Sequence, residues 1–200
     1  MNHLAHALLA GDDAALRLGG MLGDFVRGAP EADWPADVAA GIRLHRAIDA
    51  YTDAHPQVLA AKARLAPPFR RYAGILLDVW FDHLLARDFR RWSPVPLEAF
   101  SGDLRRLLAG HRAELPPGLA RFLAYMQAND LPAAYARPEV VGRALAGIGQ
   151  RLRRDNPLAD ALPVLEAHGP ALAGHFEAFF PDLLDFARAW PATCGDQVRA

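Results

Sequence analysis

Gly41-Ile42-Arg43-Leu44-His45-Arg46-Ala47-Ile48-Asp49-Ala50-Tyr51-Thr52-Asp53-Ala54-His55-Pro56 is the stretch on which the fold turns. Its apolar members Ile42, Leu44, Ile48 and Tyr51 fit helical spacing and not the alternation of a strand. At about 3.6 residues per turn, His45 and Asp49 lie one above the other, and Thr52 and Asp53 continue that side. Ionisable groups held beside apolar neighbours need compensation. A divalent cation supplies it, because imidazole nitrogen and carboxylate oxygen are both ordinary ligands. A solvated face with scattered charges is the other reading, and this stretch alone does not choose between them.

Outward from it, nearly every segment also reads as helix. Alanine, leucine and arginine dominate, β-branched residues are sparse, and apolar residues recur at intervals of three and four. Met1 to Ala10 is short and apolar, and Asp12 and Asp13 lead into a helix over Ala14–Met21. The glycine-flanked turn Gly23-Asp24-Phe25-Val26-Arg27-Gly28 follows, and Pro30 and Pro35 punctuate the loop before the central helix, Ala36 to Tyr51. Pro56 opens a helix to about Leu65, and Pro67-Pro68 breaks it before a long apolar helix from Phe69 to Asp88. Further helices are expected over Leu97–Arg112, Leu119–Asn129 and Val140–Arg153, with proline-marked turns between them. The last long helix opens at Pro170, is kinked or split by Pro181, and runs to Ala189; the tail 191–200 is expected to fray. The expectation is one all-α domain spanning 1–200.

The chain has 200 residues, 52% hydrophobic and 22% charged, which is ordinary for a soluble globular protein with a sizeable core. A formal net charge of −1 gives no global field toward nucleic acid or membrane. Basic charge is almost all arginine, with Lys62 the only lysine. Cys194 is the single cysteine, which excludes an internal disulfide and a cysteine-based zinc cluster. No run of about eighteen apolar residues and no basic-then-apolar leader occurs. The expected location is the cytoplasm.

A second polar cluster lies in Leu76-Leu77-Asp78-Val79-Trp80-Phe81-Asp82-His83-Leu84-Leu85. Asp78 and Asp82 are one turn apart and His83 adjoins them, within a run so apolar that it must be largely buried. Carboxylates there need partners, either arginines such as Arg70, Arg71 and Arg87 in a salt-bridge network, or a metal or catalytic site. Asp24 reads as a helix cap or as a ligand in a turn where the backbone approaches closely, with Arg27 placed to face a phosphate. His6, between alanines, reads as a satisfied core histidine or a ligand, and His3 carries less signal still. No phosphate-binding glycine loop and no Gly-x-Ser-x-Gly elbow occurs. Asp and His on helices suit a cation that activates water and screens phosphate charge.

Four motifs together carry a resemblance: Asn2-x-Leu4-Ala5-His6, the turn Gly23 to Gly28, Gly41-Ile42-x-Leu44-His45-Arg46-x-Ile48-Asp49-x-x-Thr52-Asp53, and Leu77-Asp78-Val79-x-x-Asp82-His83-x-Leu85. Weaker echoes run on through Gly147-Ile148-x-x-Arg151 and Phe176-x-x-Phe179-Phe180-Pro181. The chain resembles the acyl carrier protein phosphodiesterases, divergent relatives of the HD-domain phosphohydrolases. The resemblance implies an all-helical, HD-domain-like fold and hydrolysis of the phosphodiester joining 4′-phosphopantetheine to a carrier-protein serine. It implies a divalent metal, manganese first, with iron or magnesium as alternatives, and a role in lipid metabolism.

Carried over by position, it makes Asp24, His45, Asp49, Asp78, Asp82, His83 and His6 the metal and acid–base centre, with Asp24, His45, Asp49, Asp82 and Arg27 catalytic. Arg27 and Arg46 would meet the phosphate. The order Asp82-His83 departs from the His-Asp dyad of the wider superfamily, and His3 stands where an aromatic is expected. The implied partner is holo-acyl carrier protein, with no nucleic acid and no membrane. Carrier proteins are acidic, so Arg70-Arg71, Arg87, Arg90-Arg91 and Arg105-Arg106 read either as a basic docking face or as solvated helix faces, and Trp80 or Phe81 either as the wall of a channel for the arm or as core. Two alternatives stay open: an HD-like hydrolase acting on a nucleotide or other small phosphoester, and a helical carrier-binding module without catalysis.

Overall fold

The computed structural model describes residues 1–194, with side chains through 190. Ten α-helices appear among the described residues, and no strand. They are α1 (His3–Leu9), α2 (Ala14–Leu22), α3 (Ala36–Ala54), α4 (Pro56–Ala63) and α5 (Ala73–Arg87), then α6 (Leu97–Gly110), α7 (Pro117–Asn129), α8 (Pro138–Arg151), α9 (Leu162–Ala167) and α10 (Gly169–Cys194). Short 3-10 turns, among them Ala133–Ala136, join several of them.

α5 is the axis of the molecule. Eleven of its residues are buried, from Ala73 through Ala86, on all sides of the helix. That is what a helix apolar all round requires. Phe81 packs on Phe176 and Phe179 of α10, so the last helix closes the core that α5 begins. Trp80 and Phe81 are 4% and 1% exposed, so of their two readings the core holds and the channel does not.

Proline sets several boundaries. His55, just before Pro56, takes φ −70° and ψ 131°, which ends α3, because the residue before a proline is steered out of the helical region. The helix expected from Phe69 begins as a 3-10 turn over Phe69–Tyr72, and α5 proper starts at Ala73. α10 runs unbroken past Pro181. A proline there costs one backbone hydrogen bond, while the fully buried flanking Phe180 and Leu183 keep both halves on the core. Of the tail 191–200, the helix includes residues through Cys194, and the rest of that expectation lies outside the described residues.

α2 and α3 cross with almost no side chain between them. A Cβ on Gly19 would stand 2.2 Å from the Val38 carbonyl oxygen, and one on Gly41 would stand 2.4 Å from that of Leu16. Two glycines thus let the backbones touch. This crossing brings the turn after α2 over the polar stripe of α3.

Candidate metal centre

His45 and Asp49 project from one side of α3 and meet His6, which reaches them from α1. The His6 and His45 rings stack with centroids 3.7 Å apart and planes at 18°. Each presents Nε2 to a different oxygen of one carboxylate: His6 Nε2 lies 3.1 Å from Asp49 Oδ1, and His45 Nε2 3.2 Å from Asp49 Oδ2. Asp24, in the turn after α2, stands 3.3 Å from His45 Nε2 through Oδ1. It caps no helix, since the next element after α2 is the 3-10 turn Pro30–Ala32.

The ring of His45 is fixed from behind. Its Nδ1 donates to the Gly20 carbonyl at 2.8 Å, which turns Nε2 toward the carboxylates. A backbone acceptor on the distal nitrogen is the usual way a ligating imidazole is oriented. Gly23 makes room for it: a Cβ there would fall 2.2 to 2.6 Å from His45 ring atoms.

Electrostatics separate the two imidazoles. Burial pushes the His6 ring down to about 4. Burial also opposes charge on His45, but Asp24 and Asp49 outweigh it and push that ring up to about 9. For Asp49, burial acts to raise its pKa, and the hydrogen bonds of His45 and His6 with the Met1 ammonium overcome it, holding the carboxyl well below the usual range. Asp24 is held low chiefly by its hydrogen bond to His45. The Met1 ammonium sits 3.3 Å from Asp49 Oδ1 and 3.1 Å from Asp78 Oδ1. Burial raises the pKa of Asp78 despite that neighbour.

A cavity of about 310 Å³ opens here, with Asp24, Asp49, Asp53 and Asp78 on its wall beside Met1, facing Ile75, Val79 and Ile148. No arginine lines it.

The donor set fits a divalent cation. His6, His45 and Asp49 offer ligand atoms within 4.8 Å of one another. His6 is 1% exposed, and while its Nε2 faces Asp49 Oδ1, its Nδ1 has no hydrogen-bond partner. A buried imidazole left so is unusual, and a cation is a partner that its ring nitrogens are able to take.

Other expected site residues are placed elsewhere. Asp82 is wholly buried and spends both oxygens on backbone amides of α1, Leu4 N at 2.8 Å and Ala5 N at 3.2 Å. Burial pushes its carboxyl up to about 7. His83 does not join the cluster: its Nδ1 donates to the Tyr135 carbonyl at 2.8 Å, and its ring lies on Trp80. On a helix, consecutive residues diverge by about 100°, so Asp82 and His83 cannot aim at one point. Arg46 is committed to the turn, donating to the Gly28 and Val26 carbonyls at 2.7 and 2.8 Å. Its guanidinium therefore shapes the loop and does not stand free for phosphate. Arg27 is exposed.

His3 is not among the groups whose ligand atoms converge. It packs on Phe122, feels the charges of Asp24 and His45, and is pushed down to about 4 by burial.

The chain matches the family model described as acyl carrier protein phosphodiesterase over residues 1–183. The acyl carrier protein phosphodiesterase of Escherichia coli O45:K1 (strain S88 / ExPEC) is 36% identical over 188 residues, covering 94% of this chain and 97% of that protein. The one from Serratia proteamaculans (strain 568) is 34% identical over 189 residues, covering 94% and 98%. No solved structure matches. With a family match over nine-tenths of its length and relatives this similar end to end, the chain belongs to the acyl carrier protein phosphodiesterase family.

Proposed function

We propose that the protein is a metal-dependent phosphodiesterase that releases 4′-phosphopantetheine from holo-acyl carrier protein and leaves the apo carrier. The observation that carries the reading is the pair of stacked imidazoles, each with Nε2 on an oxygen of Asp49. His6, His45 and Asp49 would hold the cation, with Asp24 beside them. Mixed nitrogen and oxygen donors without sulfur suit Mn²⁺, and Fe²⁺ or Mg²⁺ are the alternatives. The substrate class comes from the relatives' name, and the acidic cavity agrees with a cation, since carboxylates alone would repel a phosphodiester.

The cation supplies Lewis acidity and charge screening at the phosphate. The chain's own groups do the rest. The Gly20 carbonyl keeps His45 in one tautomer and orientation. Asp24, beside His6, His45 and Asp49, takes a proton from the attacking water as the new phosphorus–oxygen bond forms. The bond from phosphorus to the serine oxygen breaks, that oxygen takes its proton from solvent, and Asp24 returns the water's proton to solvent, so the turnover balances. Arg27, three residues past Asp24, is the guanidinium available to meet a phosphate oxygen. Residues 1–200 act as one domain, and the HD-type likeness of the helical scaffold belongs to this proposal.

The test is intact-protein mass spectrometry of purified holo carrier after incubation with the protein and Mn²⁺. The carrier should lose the phosphopantetheine mass. His45→Gln and Asp49→Asn should each slow that loss by more than about 100-fold, the upper range found for groups that merely support metal ligands. An unchanged holo mass with metal-loaded protein overturns the reading.

A further inference from the structure

α1 has seven residues, and its N-cap, Asn2, makes no side-chain cap hydrogen bond. So short a helix does not hold itself, and its first amides have no partner within it. They are met from α5. Asp82 accepts from Leu4 N at 2.8 Å through Oδ2 and from Ala5 N at 3.2 Å through Oδ1. A carboxylate at this end of a helix is favoured by both the hydrogen bonds and the helix dipole. The seat has a second side. His83 donates Nδ1–H to the Tyr135 carbonyl at 2.8 Å, and the Tyr135 hydroxyl is hydrogen-bonded to the Asn2 side chain. The residue after Ala5 is His6, whose Nε2 stands 3.1 Å from Asp49.

We propose that Asp82 is a positioning residue of the metal centre: capping α1 from α5, it holds His6 against His45 and Asp49 and does not itself touch the cation. His83 and Tyr135 serve the same seat from its other side. The proposal rests on the metal reading above.

The experiment measures Mn²⁺ binding to the full chain by electron paramagnetic resonance of the free ion, amide exchange at Leu4 and Ala5, and kcat on holo carrier as Mn²⁺ is raised. Asp82→Asn keeps the shape and one acceptor oxygen but turns an amide donor toward the α1 backbone. It should weaken Mn²⁺ binding about 10–100-fold, as loss of a ligand's support does. It should also speed exchange at Leu4 and Ala5, and return to wild-type kcat at saturating Mn²⁺. A kcat that stays depressed at saturating Mn²⁺ makes Asp82 a ligand or proton carrier and overturns the proposal.

Tyr135→Phe keeps the carboxylate and removes only the hydroxyl at Asn2. It should weaken Mn²⁺ binding in the same direction, by less, with kcat intact. Wild-type Mn²⁺ affinity in this variant overturns the proposal even if Asp82→Asn does not fold. A wild-type chain that binds no Mn²⁺ overturns the metal reading and this proposal with it, whereas binding that neither variant weakens overturns this proposal alone.

Discussion

His6 and His45 hold protons on different terms although their rings are stacked. His6, pushed down to about 4, is neutral near pH 7, while His45, pushed up to about 9, is charged. A ligating imidazole must be deprotonated, so a cation entering the site displaces the proton on His45 Nε2. Mn²⁺ binding should therefore release one proton, and affinity should rise about tenfold per pH unit near neutrality, levelling off above about 9. Calorimetry in buffers of differing ionisation enthalpy reads both. Stability of the metal-free chain should move the other way. A raised histidine pKa contributes fully below 6.5 and is lost as pH rises through about 9. The depressed Asp49 contributes above 3.8 and is lost as pH falls below it.

Gly23 offers a second residue-scale check. Its φ of −51° and ψ of −41° suit any residue, so alanine is excluded only by the His45 ring at 2.2 to 2.6 Å. Gly23→Ala should shift that ring and weaken Mn²⁺ binding about 10–100-fold, with metal titration as the readout. The pairing of His45 with Asp49 was legible because both lie on one helix face. His6 was reached only through the family resemblance, because nothing in residues 1–10 by itself says which helix they will meet.

At the scale of elements, the α2–α3 crossing sets the distance from Gly20 to His45. A methyl on Gly41 would meet the Leu16 carbonyl at 2.4 Å, and backbone cannot yield as a side chain tip can. Gly41→Ala should cost about 1–3 kcal/mol or more through overpacking, roughly 2–4 °C in Tm for each kcal/mol in a chain of this size. Scanning calorimetry checks it. Helix count and most boundaries were readable because alanine, leucine and proline set them locally. The burial of α5 was readable too, from apolar residues on every side. What that burial demanded of Asp82 was not: a buried carboxylate announces the need for a partner, and here the partners are amides at Leu4 and Ala5, nearly eighty positions earlier. Arginines or a metal are the partners visible nearby in the sequence.

Over the whole molecule, a formal charge of −1 hides a division of labour. The cavity carries four carboxylates and no arginine. The arginines lie on outer faces, and several are already neutralised. Arg105 pairs with Asp130 at 2.8 Å, Arg106 with Asp103, Arg91 with Glu177 at 3.4 Å and Arg87 with Asp88 at 2.6 Å. Arg70 and Arg71 are exposed and have no ion pair among the described residues. If an acidic carrier docks, these two guanidiniums have charge to offer. An exposed contact of that kind is screened as salt rises, the Debye length shrinking from about 30 Å at 0.01 M to about 8 Å at 0.15 M. With Mn²⁺ saturating, kcat/KM on holo carrier should fall across that range, and Arg70→Glu with Arg71→Glu should raise KM several-fold and flatten the salt dependence. A small neutral-bodied phosphodiester, which needs only the cavity, should show neither effect. Parallel losses on both substrates would mean that salt and the arginine changes act on the metal centre itself, and the docking face would have to be sought elsewhere on the helices.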